Sequence, residues 1–190
     1  YRSSISSLVE AVEVYKSGVR RWEPASWMEF SYRDSALRRG TKDRVILLRV
    51  RMRLEAAERS RIYSLARTNQ RQRIDKQPTQ ASAGSFFKNV NDQALAASLP
   101  NLPDPLKRAG IVPAGYLIED VGLKGKMWLG AQISPRHGNF IINIGGATAS
   151  AIRDLAHEAK RRVGDRFGVQ IDEEVLYLGD WSGYEPANVV

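Results

Sequence analysis

Hydrophobic and polar positions alternate over residues 8–15 and 45–54, take helical spacing near position 62, and return to short apolar runs after position 127. Leu8 to Tyr15 is rich in β-branched residues and alternates, which predicts a strand. Lys16-Ser17-Gly18 is a turn, and Val19 to Trp22 returns as a short strand. Pro24 opens a short helical turn with Trp27 and Met28. From Val45 to Leu54, Arg49, Arg51 and Arg53 alternate with Val50, Met52 and Leu54, so a strand would put three arginines on one face. From Glu55 to Gln72, Ile62, Leu65 and Ala66 stand at i, i+3 and i+4 and predict a helix with polar remaining faces. Arg73 to Gln80, with Pro78, reads as a linker.

The second half predicts shorter elements. Asn91 to Leu99 reads as a short helix. Residues 100–113 hold Pro100, Pro103, Pro105 and Pro113 and read as a loop. Pro113 and Gly122 bracket a helix of two turns. Met127 to Ile133 and Phe140 to Asn143 read as strands, and Gly145-Gly146 as a turn. Thr148 caps a helix over 149–165, with Ile152, Leu155, Ala156, Ala159 and Val163 on one face. Glu174 to Gly179 reads as a final strand and Asp180 onward as a tail. The mixture of helices and antiparallel hairpins predicts an α+β fold.

Composition narrows the chemistry. The chain has 190 residues, enough for one or two domains with a real core, and no apolar run long enough to cross a bilayer. With no cysteine, disulfides, thiolate metal sites and thiol catalysis are excluded; with two histidines, His137 and His157, so is a multi-histidine zinc site. The lack of cysteine fits a reducing cytoplasm. The net charge of +8 is unevenly placed: residues 38–73 hold twelve Lys and Arg against Asp43, Glu55 and Glu58. Three readings of that block stand: a solvated face, a surface for small anionic ligands, and a nucleic-acid module. No nucleic-acid motif accompanies it, and aromatics are not interleaved with its arginines for base stacking.

The densest cluster of chemistry is Ala81-Ser82-Ala83-Gly84-Ser85-Phe86-Phe87-Lys88-Asn89. Gly84 permits close backbone approach or positive φ. Ser85 donates and accepts, Lys88 carries a fixed charge, and Asn89 offers both hydrogen-bonding senses. Two readings are open: a turn entering an aromatic core strand, or a site for an anionic ligand beside a proton donor.

The stretch from Ser82 to Asn89 resembles the signature of the UDP-N-acetylenolpyruvoylglucosamine reductases, flavoenzymes of peptidoglycan precursor synthesis. Further pieces stand in the family's order: Tyr32-Arg33-Asp34-Ser35, Arg73 with Lys76-Gln77-Pro78, Ala114 to Glu119, Gly122-Leu123-Lys124-Gly125, Gly130-Ala131-Gln132-Ile133-Ser134, His137 to Asn143, and Glu174-Val175. The 49 residues from Ser35 to Gly84 leave no room for an extra segment found in the family's longer branch, so the chain resembles the shorter branch. The resemblance implies the end of a FAD-binding domain over residues 1–79 and a substrate-binding domain over 80–190. Tyr1 would fall in the family's flavin loop, where Tyr-Gly is usual and Arg2 stands here, with most of the flavin site upstream. The chain is thus expected to be the C-terminal portion of a reductase, or a degenerate copy of it.

The same resemblance implies the roles. The activity would be reduction of UDP-N-acetylenolpyruvoylglucosamine to UDP-N-acetylmuramate, with FAD as cofactor and NADPH as co-substrate. Ser85 matches the proton donor, Arg33 the arginine on the enolpyruvyl carboxylate, and Glu174 the glutamate acting on that same side. Tyr32, Lys76, Lys88, Asn89, Lys124 and His137 match positions around the UDP-sugar. The pattern departs from the family at Leu129, where a second glycine is usual, and at Glu173 and Leu176 flanking the glutamate, where proline and arginine are common. The expected protein is a cytoplasmic monomer without nucleic-acid or membrane partners. The competing expectation is a UDP-sugar or anion-binding remnant without redox activity.

Overall fold

The structure, a computed structural model, describes residues 4–189; Tyr1 and Arg2, compared above with a flavin loop, lie outside them. The chain divides into two compact units, Tyr1–Gln70 and Arg71–Val190. Both are mixed helix and sheet, so the fold is α+β.

The first unit is built on β1 (Val9–Lys16), β2 (Val19–Pro24) and β3 (Ile46–Met52), an antiparallel sheet in the order β2-β1-β3. Ser17 and Gly18, both at positive φ, close the β1–β2 hairpin. A 3-10 turn at Ala25–Met28 follows Pro24. The unit's core is small: Val12, Val14 and Met28 are buried, with Trp27, Phe30, Leu37 and Val45 packed around them. Arg49 and Arg51 share one face of β3, as their alternation predicts, and lie 5.6 and 4.5 Å from the Trp22 ring centre. Arg49 also pairs with the buried Glu13 carboxylate at 2.5 Å. The apolar residues of β3 are another matter: Ile46, Leu47, Leu48, Val50 and Met52 are all exposed.

α1 (Arg59–Lys76) starts four residues later than its periodicity predicts and runs through Lys76, so half of the expected linker is helical. The boundary between the units falls inside it. Ile62 and Leu65, read as its apolar face, are exposed, since no described element of the chain covers them.

The second unit has a four-stranded antiparallel sheet, β4 (Ser82–Ser85), β9 (Phe140–Asn143), β8 (Ala131–Ile133) and β7 (Met127–Trp128), in that spatial order. The run read as one strand over 127–133 is a hairpin: Leu129 and Gly130, at φ +42° and +81°, turn the chain between β7 and β8. A Cβ on Gly130 would meet the Gly145 carbonyl at 2.3 Å, so only glycine fits there. A second, two-stranded sheet pairs β5 (Val90–Asn91) with β6 (Ile111–Val112). Between them lie α2 (Gln93–Ser98), capped by Asp92, and α3 (Asp104–Ala109). α3 and β6 replace the expected proline-rich loop. Pro105 lies in the first turn of α3, where its missing N–H costs nothing, and Gly110 closes the helix in the left-handed region.

α4 (Ala114–Asp120) lies between Pro113 and Gly122 as predicted. α5 (Ala149–Phe167), capped by the Thr148 hydroxyl, buries Leu155, Ala156, Ala159 and Val163 against the sheet. That layer, with Phe86, Phe87, Leu117, Ile118 and Ile133, is the main core.

The predicted strand over 174–179 does not form. Its alternation is present, with Val175 and Tyr177 partly buried and Leu176 and Leu178 exposed, but the only pairing is one bridge between Phe87 and Glu173. Alternation without a partner makes no ladder. Nor is the end of the chain a loose tail. Val189 is buried in the main core, and Tyr184 donates from its hydroxyl to Asp154 Oδ1 at 2.7 Å.

Candidate active site

The serine motif enters as β4 and leaves it at Ser85, the residue paired with Phe140. Gly84, at φ +86°, sits in the irregular step between the Ser82 and Ser85 pairings. Phe86 and Phe87 then bury their rings 5.2 Å apart, anchoring the motif from below. The stretch is a strand running into an aromatic core, with its polar residues at the edge of that core. Ser85 is half-buried, and its hydroxyl makes no hydrogen bond among the described residues.

Two segments distant in sequence hold the motif. On one side, the Phe86 N–H donates to the Asn139 carbonyl at 2.8 Å. The Asn139 side chain accepts from the Phe87 N–H at 2.8 Å and donates to the Phe87 carbonyl at 2.9 Å. On the other side, the Glu174 N–H donates to the Phe86 carbonyl and the Lys88 N–H to the Asp172 carbonyl, each at 2.8 Å. Glu174 is thereby fixed by main chain next to the residue that follows Ser85. Lys88 and Asn89 are half-buried just beyond.

His137 is two residues from Asn139. Its Nδ1 accepts the Asn139 N–H at 3.2 Å, which leaves Nε2 to carry the proton. Its ring stands edge-on to Phe140 at 5.0 Å. Burial pulls its pKa below the ordinary imidazole value of 6.5, with Glu119 opposing and Lys124 adding to the shift. Glu119 pairs with Lys124 at 3.2 Å and accepts the Gly138 N–H at 3.1 Å. A Cβ on Gly138 would come within 2.9 Å of the Gly115 carbonyl, so the His-Gly-Asn turn lies directly against α4. Arg136 donates to the carbonyls of Ile74 and Asp75 at 3.3 and 2.8 Å, which sets the last turn of α1, with Lys76, beside this turn.

Ser85, Glu174, Lys88, Asn89, Lys124, His137 and Lys76 thus all belong to the second unit. Tyr32 and Arg33 belong to the first. They form a tight turn closed by paired main-chain hydrogen bonds between Ser31 and Asp34, and Arg33 sits at φ +55°. A non-glycine residue in that region stores of order 1–3 kcal/mol of strain, a feature that clusters at functional sites. Asp34 pairs with Arg39 at 3.1 Å and accepts the Ser35 N–H at 2.8 Å. The turn lines an open cavity of about 760 Å³ with Phe30, Ser35 and Arg38.

The sequence of the His-Gly-Asn-Phe stretch points to His137, but Asn139 is the residue that touches the serine motif. Nothing in composition separates a buried carboxamide clamp from a surface asparagine. Only the burial of Asn139 and its facing of Phe87 do so.

Residues 76–178 match the profile of the UDP-N-acetylenolpyruvoylglucosamine reductase C-terminal domain. The chain belongs to this family. It is 38% identical over 181 residues to UDP-N-acetylenolpyruvoylglucosamine reductase 1 of Bacillus anthracis, covering 94% of this chain and 53% of that protein. To the reductase of Thermotoga maritima it is 32% identical over 184 residues, covering 96% and 57%. The crystal structure of UDP-N-acetylenolpyruvylglucosamine reductase from Thermus caldophilus superposes with a TM-score of 0.64 at 31% identity, over 89% of this chain and 52% of that one. The chain therefore spans about half the length of these relatives. Its family match begins at Lys76 and takes in the serine motif, the His-Gly-Asn turn and Glu174.

The family implies a flavin. Among the described residues of the first unit, Gly18 and Gly40 have open space where a Cβ would stand. The described residues hold no cluster of metal-ligating side chains, and no helix is long and apolar enough to cross a membrane.

Proposed function

We propose that this chain supplies the substrate-binding and proton-donating half of a reductase that converts UDP-N-acetylenolpyruvoylglucosamine to UDP-N-acetylmuramate. The single observation that carries the reading is the main-chain bond from Glu174 to Phe86, which sets two family motifs, almost ninety positions apart, side by side at Ser85. In the whole enzyme a flavin, with NADPH as reductant, would supply the redox chemistry; binding, polarising and protonating would fall to the residues of this chain. Lys76, Lys88, Asn89, Lys124 and His137 would hold the UDP-sugar, the lysines as charges for its diphosphate. His137, kept neutral, offers Nε2–H as a donor. Arg33 would serve the enolpyruvyl carboxylate, as a planar guanidinium suits, and Tyr32 would join the residues around the UDP-sugar. Reduction of the double bond leaves negative charge on the carbon next to the carboxylate, and Ser85 would give that carbon its proton. The hydroxyl, without a hydrogen-bonding partner among the described side chains, is available for it. The first unit would be the end of a flavin domain, and the second the substrate domain.

The test is calorimetric titration of the 190-residue chain with the UDP-sugar. Saturable binding is expected, weakened roughly tenfold by Lys88→Ala, of order 1.4 kcal/mol. Ser85→Ala should bind like the parent, because its part is a proton and not affinity. No saturable binding to the folded chain would overturn the reading.

A further inference from the structure

Residues 179–189 lie beyond the stretch that matches the family, yet they are ordered against α5. Asp154, buried on α5, takes three donors: Trp128 Nε1 at 3.1 Å, the Tyr184 hydroxyl at 2.7 Å and the Ala187 N–H at 3.1 Å. Next to it, the Arg153 guanidinium lies 4.6 Å from the ring centre of Tyr177, 4.7 Å from Trp181 and 4.1 Å from Tyr184. The three rings also meet edge-on, Tyr177 with Trp181 at 5.3 Å and Trp181 with Tyr184 at 5.6 Å. One guanidinium nitrogen is buried with no hydrogen-bond acceptor, so the aromatic faces are its partners. Trp181 Nε1 closes a turn onto the Leu178 carbonyl at 3.1 Å.

Tyr177, the first ring of this box, is three residues from Glu174. Between them the chain has no ladder, and the one bridge, at Glu173, lies on the far side of Glu174. Lys160, two helical turns along α5 from Arg153, pairs with Glu173 at 3.6 Å. Glu174 is thus pinned before by the bridge and Lys160, and after by the ring box on Arg153. Burial and then the Glu173 charge hold the Tyr177 phenol well above its ordinary pKa, consistent with a ring enclosed between these two anchors.

We propose that Arg153 and Asp154 are positioning residues for Glu174, acting through a strap, residues 177–189, that replaces the missing final strand. This rests on the reading of Ser85 and Glu174 as one site. The strap's closure depends on the Asp154 carboxylate. Burial works against its charge, but the donors from Tyr184, Ala187 and Trp128, and then the charge of His157 on the same helix, outweigh it and hold its pKa below the usual aspartate value. The closure is therefore complete above that usual value and is lost as pH falls through the lowered one.

The experiment is amide hydrogen exchange on the full chain, on a variant ending at Leu178, and on Arg153→Met, Arg153→Lys and Tyr184→Phe. Ligand is absent throughout, so the result is independent of whether the UDP-sugar binds. In the shortened chain and Arg153→Met, the Glu174 amide should exchange about tenfold faster or more, while the amides of β8, β9 and the centre of α5 keep their protection. Arg153→Lys, which keeps a cation over the rings, should restore much of the protection. Tyr184→Phe, which loses one hydrogen bond and keeps the ring, should show a smaller change in the same place. Unchanged exchange at Glu174 in the shortened chain would overturn the proposal, as would an equal rise throughout the unit, which would mean general loss of stability.

Discussion

Leu129 is a residue at which the backbone of this chain shows a cost. It occupies the β7–β8 turn at φ +42°, a region that disfavours a side chain by about 1–2 kcal/mol. It is 69% exposed, so its side chain returns little by burial. Leu129→Gly should relieve the strain, less the extra entropy glycine brings to the unfolded chain, for a net gain of about 1 kcal/mol. For a chain of this size that is a rise in melting temperature of roughly 2–4 °C, readable by calorimetry. An unchanged or lower melting point would show the turn to be relaxed with leucine in place. The same substitution at Gly130 in reverse is forbidden, because the Gly145 carbonyl occupies the space. From sequence alone the two positions look like neighbours in one strand; they are told apart only by which of them faces the Gly145 turn.

At the scale of elements, what was legible in the sequence is whatever is decided locally. Thr148 and the apolar stripe of α5, the Pro113–Gly122 bracket of α4 and the Lys16-Ser17-Gly18 hairpin are local signals, and each element stands where it was read. What was not legible depended on a partner elsewhere. Among the described residues nothing covers Ile62 and Leu65 of α1, and the segment predicted as the last strand has one bridge, at Glu173, in place of a ladder. The site divides in the same way: its motifs were readable, but the clamp joining them was not, since Asn139 acts across the fold on Phe87. Asn139→Ala should expose that clamp as an element-level device. It leaves the buried Phe87 N–H and carbonyl without partners at a cost of about 1–3 kcal/mol each. Urea denaturation should report a loss of roughly 2–4 kcal/mol in the second unit. A loss below about 0.5 kcal/mol, the range of an ordinary surface change, would show that the clamp is dispensable.

At the scale of the molecule, the two units are unequal. The second has a continuous core under its candidate site, whereas the described residues of the first bury only Val12, Val14, Met28 and Ala36 among apolar side chains and leave all of β3 exposed. The cavity beside Tyr32 and Arg33 is open, and Gly18 and Gly40 stand in open space. We expect the 190-residue chain to bind FAD weakly, without the stoichiometric uptake of a loaded flavoprotein; titration followed by visible absorbance reads this directly, and tight one-to-one binding would refute it. The clamp at Phe86 to Lys88 has a different consequence, one of timing. One side of it comes from Asn139 and the other from Asp172 and Glu174, so a growing polypeptide that has completed the serine motif still lacks both of its supports. The candidate catalytic centre comes into being late, when the last of these residues has been added, and any product released before that point would carry the signature without the site.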